Sequence, residues 1–256
     1  MAAINKSIYE KFIIESADGS RNVDISAGVV AFTYFENIFS PTLTARAIIV
    51  NTGNTIVGLD GKMQTVYNGL PIRGGERVLI KIAGNSSINE GLDFSDTPSR
   101  YFHVGSITNV LIDEGTETFT LNLVSRETIT NETVRVGKKF PTSQKISDSV
   151  KNILKNYVKT EKDIIVDQTQ NPYGFIGNMK KPFTLITWLA SKSVPGKGAS
   201  KDSSAGFLFY ETIYGFNFRS IDNLIEEDPF EKDYVFTPGI VNTCLLYTSP
   251  SPRDLD

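Results

Sequence analysis

From Ser7 to about Val124 the apolar positions recur mostly with a period of two. Thr42 to Val50 sets Leu43, Ala45, Ala47 and Ile49 against Thr42, Thr44, Arg46 and Ile48, the pattern of a strand with one buried face. Arg77 to Ala83 places Val78, Ile80 and Ile82 on one side, and Arg100 to Asp113 is a further such run. Glu117 to Val124 opposes Phe119, Leu121 and Leu123 to Thr118, Thr120 and Asn122. Turn dipeptides fall between the runs: Asp18-Gly19, Ser40-Pro41, Asp60-Gly61 and Gly74-Gly75. Strands at this spacing, with no helical stretch of any length, predict an antiparallel barrel or sandwich.

Near Ser125 the period changes. Ile146, Val150, Ile153, Leu154, Tyr157 and Val158 fall on one stripe of an amphipathic helix, for which Ser143 or Ser147 is the expected cap. A second helix is expected from Pro182 to Lys192, with proline in its first turn. Its apolar side is Phe183, Ile186, Leu189 and Ala190, widened by Leu185 and Trp188. Asp163 to Val166 is a short strand, and Pro195 to Ser204 is a polar loop by composition. Strand period then returns: Gly206 to Thr212 alternates Phe207, Phe209 and Glu211 with Leu208 and Tyr210. A turn at Tyr214-Gly215 leads into Phe216, Phe218 and Ser220. Such a hairpin needs more sheet than itself, so it is expected either to join the first barrel or to open a second one.

Composition narrows the chemistry. The chain has 256 residues with 26 basic and 29 acidic side chains, a net charge of −3, without the basic excess of a dedicated nucleic-acid binder. One histidine and one cysteine rule out a His-rich zinc site, a cysteine-held cluster and a disulfide framework. The longest apolar run, Ala27 to Phe32, is far short of the roughly 18 residues of a membrane-spanning helix. Lys6, Glu10, Lys11 and Glu15 interrupt the first residues, so a cytosol-made protein without a signal peptide is expected. The Asn-x-Ser/Thr sites at Asn5, Asn85 and Asn131 then carry no meaning as glycosylation signals.

No catalytic set assembles. His103 sits inside a strand run with no oriented partner nearby, and no Gly-x-Ser-x-Gly elbow accompanies it. Glu226-Glu227-Asp228 before Pro229 reads as a solvated turn rather than a glycosidase pair, and Glu90, Asp93 and Asp96 as loop acids at most able to touch calcium weakly. The Gly-Lys-Gly-Ala-Ser-Lys stretch lacks the Walker spacing, and Gly74-Gly75 lacks the third glycine of a dinucleotide fingerprint. Arg135, Lys138, Lys139 and Lys145, like Lys180-Lys181, read as solvated faces. No cofactor and no metal are expected.

Several stretches resemble a known family. Tyr34-Phe-Glu-Asn-Ile-Phe-Ser-Pro41, Gly69-Leu-Pro-Ile-Arg-Gly-Gly-Glu76 and Ser125-Arg-Glu-Thr-Ile-Thr-Asn-Glu-Thr133 are similar to the central baseplate hub proteins of T-even-like contractile-tailed phages, marine ones above all. So are Tyr173 to Asn178 with Lys180-Lys-Pro-Phe183, Trp188 to Pro195, Ser204 to Thr212 and Gly215 to Asp222. The likeness covers residues 4–243. It implies an α+β, mainly β chain: a tube-like antiparallel β-barrel at 4–124, an inserted mixed α/β region with two helices at 125–203, and the start of a second barrel at 204–243. It further implies a virion structural protein and not an enzyme, a homotrimeric ring that joins the tail tube to the central spike. The implied partners are copies of itself, a spike or lysozyme-type hub protein, the tail tube or its initiator, and the baseplate wedge. Membranes and specific nucleic-acid sites are not expected. Phe32, Tyr34, Phe35, Phe207, Phe209 and Tyr210 are candidates for aromatic packing between subunits, with ordinary core burial as the competing reading.

Two other classes stay open: a β-sandwich glycan- or receptor-binding module of a phage tail, and a tail-associated cell-wall hydrolase. Trp188 on a predicted helix speaks against the former, and the lack of convergent acids against the latter. Finally, Cys244 to Asp254 back-translates to a string that resembles the transposon-end adapter of a sequencing library. Residues 244–256 are therefore expected not to belong to the protein, and the natural chain to continue past Thr243. Without them the chain has no cysteine, and its charge is 25 basic minus 27 acidic, or −2, after removal of Arg253, Asp254 and Asp256.

Overall fold

The computed structural model describes residues 8–58, 61–70, 72–84, 91–113, 115–196 and 206–228. The 244–256 string, Glu90, Asn5, Asn85 and the loop 197–205 lie outside them, as does the expected barrel segment beyond 228. One compact unit ends at Asp222 and a second begins at Asn223; the account below concerns the first.

Its N-terminal half is a large antiparallel sheet. The strands are β1 (Ile8–Glu15), β2 (Asn22–Asp24), β3 (Val29–Phe35), β4 (Thr44–Thr52), the small hairpin β5 (Ile56–Val57) and β6 (Met63–Gln64), β7 (Arg77–Ala83), β8 (Leu92–Asp93), β9 (Phe102–Asp113) and β10 (Thr116–Ser125). A single helical turn, α1 (Val66–Gly69), lies between β6 and β7. The hydrogen-bonded order is β2-β1-β7-β9-β10-β4-β3, with β8 on β7. The two ends of that path, β2 and β3, are neighbours in the chain, joined through a 3-10 turn at Ser26–Gly28. With four linking residues, Ile25 to Gly28, the five steps from Asp24 to Val29 reach at most about 17 Å. Flat strands about 4.8 Å apart would set the two ends of this path much further from each other, so the sheet must curl to bring β2 and β3 within reach.

The interior is set by the period of two. Ala45, Ala47 and Ile49 of β4 and Phe119, Leu121 and Leu123 of β10 are buried, on strands paired in continuous register from Thr116↔Thr52 to Val124↔Thr44. Each large side chain removed from water there contributes about 2 kcal/mol. Phe12, Phe94, Phe102, Leu70 and Ile80 complete the core. Glu117 shares the inward parity of Phe119 and is fully buried; its carboxylate accepts the Asn51 amide at 2.9 Å and the Tyr67 backbone N–H at 3.2 Å.

The second half builds a separate core. It contains α2 (Arg126–Thr133), β11 (Lys139–Phe140), α3 (Ile146–Ile153) continued by a π-turn Leu154–Val158, β12 (Asp163–Val166), β13 (Phe175–Ile176), α4 (Pro182–Ala190), β14 (Phe207–Thr212), β15 (Gly215–Ser220) and, straddling the unit boundary, α5 (Ile221–Glu226). The expected apolar stripe, which runs from α3 into the π-turn, is buried except for a half-buried Tyr157, but the cap of α3 differs from expectation. Neither Ser143 nor Ser147 caps it; instead the Ser147 N–H donates to Thr169 Oγ1 at 3.1 Å, a hydroxyl supplied from outside the helix. The hairpin β14–β15 takes β12 as its third strand, parallel to β15 from Asp163↔Gly215 to Val166↔Phe218. Its closest sheet partner is thus the 125–203 region rather than the barrel. Phe183 of α4 meets Phe209 edge-on at 5.5 Å, and Phe209 stacks on Phe216 at 5.9 Å, so helices and hairpin share one aromatic core.

Candidate functional site

Two features stand out: an outward apolar corner and a buried charged junction. The corner follows β3. Asn37 Oδ1 accepts the Phe39 N–H at 2.9 Å while the Ser40 N–H donates to the Asn37 carbonyl, a side-chain-mimicked turn of the kind asparagine favours. The turn thrusts Phe39 outward, 77% exposed, beside Ile38 and a half-exposed Phe35. The corner sits astride α4. On one side a cleft of about 310 Å³ is lined by Ile38, Phe39, Ala190, Phe207 and Phe209; on the other, one of about 530 Å³ is lined by Pro41, Asn131, Lys181, Phe183 and Trp188. Thr187 borders both.

The six aromatic candidates separate. Phe35 is at the corner. Phe32 is half-buried, edge-on to Phe12 at 6.4 Å. Tyr34 is half-buried, its ring 5.3 Å from Phe94 and its hydroxyl donating to Glu36; burial, with Glu36 beside it, pushes its pKa up. Phe207 and Phe209 are buried in the second core, and Tyr210, on the other face of β14, is buried without belonging to it. Ile38 and Phe39, the most outward residues of the same stretch, escaped the period-two reading because they lie in a turn with no periodic pattern.

The junction joins Ser125, Glu127 and Glu211, which lie in stretches that carry the family resemblance, to Thr160 and Lys162, which do not. Glu211 of β14 is fully buried; its Oε2 accepts the Leu43 N–H at 2.9 Å and the Ser125 hydroxyl at 2.8 Å, both at the end of the barrel. Its Oε1 pairs with Lys162 at 2.6 Å, and Lys162 also reaches Glu127 Oε2 of α2 at 3.1 Å. Glu127 Oε1 accepts the Thr160 hydroxyl at 2.8 Å. Burial raises the Glu211 pKa, against the pull of Lys162. For Lys162 burial works against the charge, yet Glu211 and Glu127 outweigh it and its pKa rises. One turn along α2, Asn131 Oδ1 accepts the Phe183 N–H at 2.8 Å and so caps α4 from another helix. Glu76 of the Gly-Gly motif does similar work, its carboxylate accepting the Arg73 and Gly74 N–H groups at 2.7 and 2.8 Å. Gly74 and Gly75 have φ of +113° and +92°, which a side chain rarely tolerates. A charged residue at core-facing parity, as at Glu117 and Glu211, was the sequence signal for such tie points.

The remaining candidates are spread out. His103 on β9 is half-buried, its buried Nδ1 makes no hydrogen bond, and burial lowers its pKa below 6.5. Asp93 folds back on the Ser95 N–H at 2.8 Å and Asp96 pairs with Arg100 at 2.7 Å, so their oxygens serve the local turn. Glu226 is the last residue of α5 rather than part of a turn, and it, Glu227 and Asp228 are exposed. Among the described residues no group of three His, Cys, Asp or Glu could hold a metal, and no helix is long and apolar enough to cross a membrane.

No protein-family model matches the sequence, and no curated protein matches it. Solved structures do. The chain is similar to a 43 kDa tail protein of prophage MuSo2 from Shewanella oneidensis at 13% identity and a TM-score of 0.50, over 82% of this chain and 54% of that one. A prophage tail protein from Listeria monocytogenes matches at 8% identity and a TM-score of 0.48, over 89% and 55% of the two chains. A tail protein from Neisseria meningitidis matches at 9% and 0.47, over 81% and 49%. The chain spans about half the length of these proteins. It is an α+β, mainly β chain with a fold found in phage tail proteins.

Proposed function

We propose that the chain is a structural subunit of a phage tail, a baseplate hub protein of the T-even-like contractile type. Copies of it form a trimeric ring that joins the tail tube to the central spike. The observation that carries this reading is the fold shared with the Shewanella prophage tail protein across 82% of the chain. Two further features support it. The buried Glu211 and Glu127 are held by groups of the chain itself and present no open face to a substrate. The corner at Phe35, Ile38 and Phe39 offers apolar surface next to clefts, which suits contact with other tail proteins. The residue ranges 4–124, 125–203 and 204–243 are read as first barrel, insertion and opening of a second barrel, with the hairpin β14–β15 starting the last. Partners are further copies of the chain, a spike or lysozyme-type hub protein, the tube or its initiator, and the baseplate wedge. The virion is the site of action, reached after assembly in the host cytoplasm.

The test is reconstitution. The full-length protein, co-expressed with the spike protein from the same genome, is expected to elute as a complex with three copies of this chain. Monomers that associate with neither spike nor tube initiator would refute the hub assignment.

A further inference from the structure

The buried junction is arranged for bond formation as well as packing. We propose that Lys162 and Glu211 condense to an intramolecular isopeptide bond, with Glu127 as the proton carrier. The three side chains are 4%, 0% and 3% exposed, and Lys162 Nζ lies 2.6 Å from Glu211 Oε1 and 3.1 Å from Glu127 Oε2. Amine and carboxyl are thus held together without water, which removes the entropic cost of an encounter. Glu211 Oε2 receives two donors, the Leu43 N–H and the Ser125 hydroxyl, at the position where an oxyanion would form. Glu127 Oε1 is held by Thr160, whereas its Oε2, apart from the ion pair with Lys162, makes no hydrogen bond and is open to a proton.

The steps balance. Glu211 reacts as the carboxylic acid, the form that burial favours. With Glu211 neutral, one of the two charges that hold the Lys162 ammonium is gone while burial still disfavours it, and Lys162 passes one proton to Glu127. The free amine attacks Glu211 Cδ, and the charge on Oε2 is met by Leu43 and Ser125. The nitrogen then loses a proton to the departing oxygen; the C–N bond is made, the C–O bond breaks, and one water leaves. Nothing is oxidised or reduced. Glu127 ends as a neutral acid, so buried opposite charges are replaced by an amide and a carboxylic acid, which are cheaper to keep out of water. The bond ties the segment before β12 to β14, across the β15 strand between them. A tail component that transmits force gains a covalent brace inside one subunit.

The experiment is intact-mass spectrometry of the folded full chain, followed by proteolysis and fragment sequencing. The expected result is a mass one water below that of the sequence and a branched peptide joining Lys162 to Glu211. Glu127→Gln and Lys162→Arg are expected to carry the full mass, the latter keeping the charge without a competent amine. A folded unsubstituted chain at full mass overturns the proposal, and so does a lost water that maps elsewhere. A branched peptide in Glu127→Gln overturns the role of Glu127. If either variant fails to fold, the unsubstituted chain alone decides.

Discussion

Asn131→Ala tests whether a polar residue of a family-like motif is there for packing rather than for a partner. The Asn131 side chain is 7% exposed and its Oδ1 receives the N–H of Phe183, an early N–H of α4 that has no partner within the helix. Loss of such an acceptor leaves a donor stranded, at about 1–3 kcal/mol when fully dry. Asn131 also borders the 530 Å³ cleft, so water can reach the vacated place and the cost falls in the lower half, about 1–1.5 kcal/mol. For a unit of this size that corresponds to a melting temperature lower by about 2–6 °C. Asn131→Asp keeps the acceptor and adds a negative charge at a helix N-terminus, so it is expected within about 0.5 kcal/mol of the parent. Thr133→Ala, on the exposed end of the same helix, serves as the neutral control. Thermal melts followed by circular dichroism provide the readout. An alanine variant that melts with the Thr133 control, or an aspartate variant as damaged as the alanine one, refutes the capping argument.

Phe39→Asp removes the most exposed phenyl ring of the corner; if that ring is buried on assembly, about 2 kcal/mol of contact is lost and association weakens by at least about tenfold in sedimentation. The melting curve is expected to stay unchanged, and an unaltered assembly would remove the corner from the interface. His103 is the chain's single histidine, so its imidazole signal titrates alone in NMR. Burial depresses its pKa below the unfolded 6.5, so stability is complete above pH 6.5 and declines as pH falls from there through the folded pKa; a midpoint at or above 6.5 contradicts the burial argument. Gly215→Ala places a Cβ 2.2 Å from the Asp163 carbonyl oxygen at a φ of +149°, and a loss of at least about 2 kcal/mol is expected in denaturant titration. A loss below about 0.5 kcal/mol would mean that β12 and β15 separate easily.

The barrel strands could be read directly because a one-faced strand writes its burial into alternate residues. The same parity that marked Phe119 and Phe209 as inward also marked Glu117 and Glu211, and both carboxylates are indeed interior. Periodicity says nothing, however, about which distant groups satisfy them: Leu43 and Ser125 meet Glu211 only after the hairpin folds against the end of the barrel. The cap of α3 was missed for the same reason, since Thr169 lies beyond the local window in which capping rules work. The curl of the sheet was only half legible. Alternation allows a sandwich or a barrel alike, and the bend is imposed by the short link that ties β2 to β3. The corner was least visible, because exposed phenylalanine in a turn has the same letters as phenylalanine in a core.

The parallel pairing of β12 with β15 has a consequence for biosynthesis. When β12 leaves the ribosome, its partner is still about fifty residues from being made. At the usual elongation rates of 5–20 residues per second the gap lasts roughly 3–10 s. In its later part Phe183 of α4, already made, waits without the Phe209 and Phe216 rings that it meets in the fold. A polypeptide that ends before Gly215 therefore has no strand to pair with β12 and no Phe216 to meet Phe183.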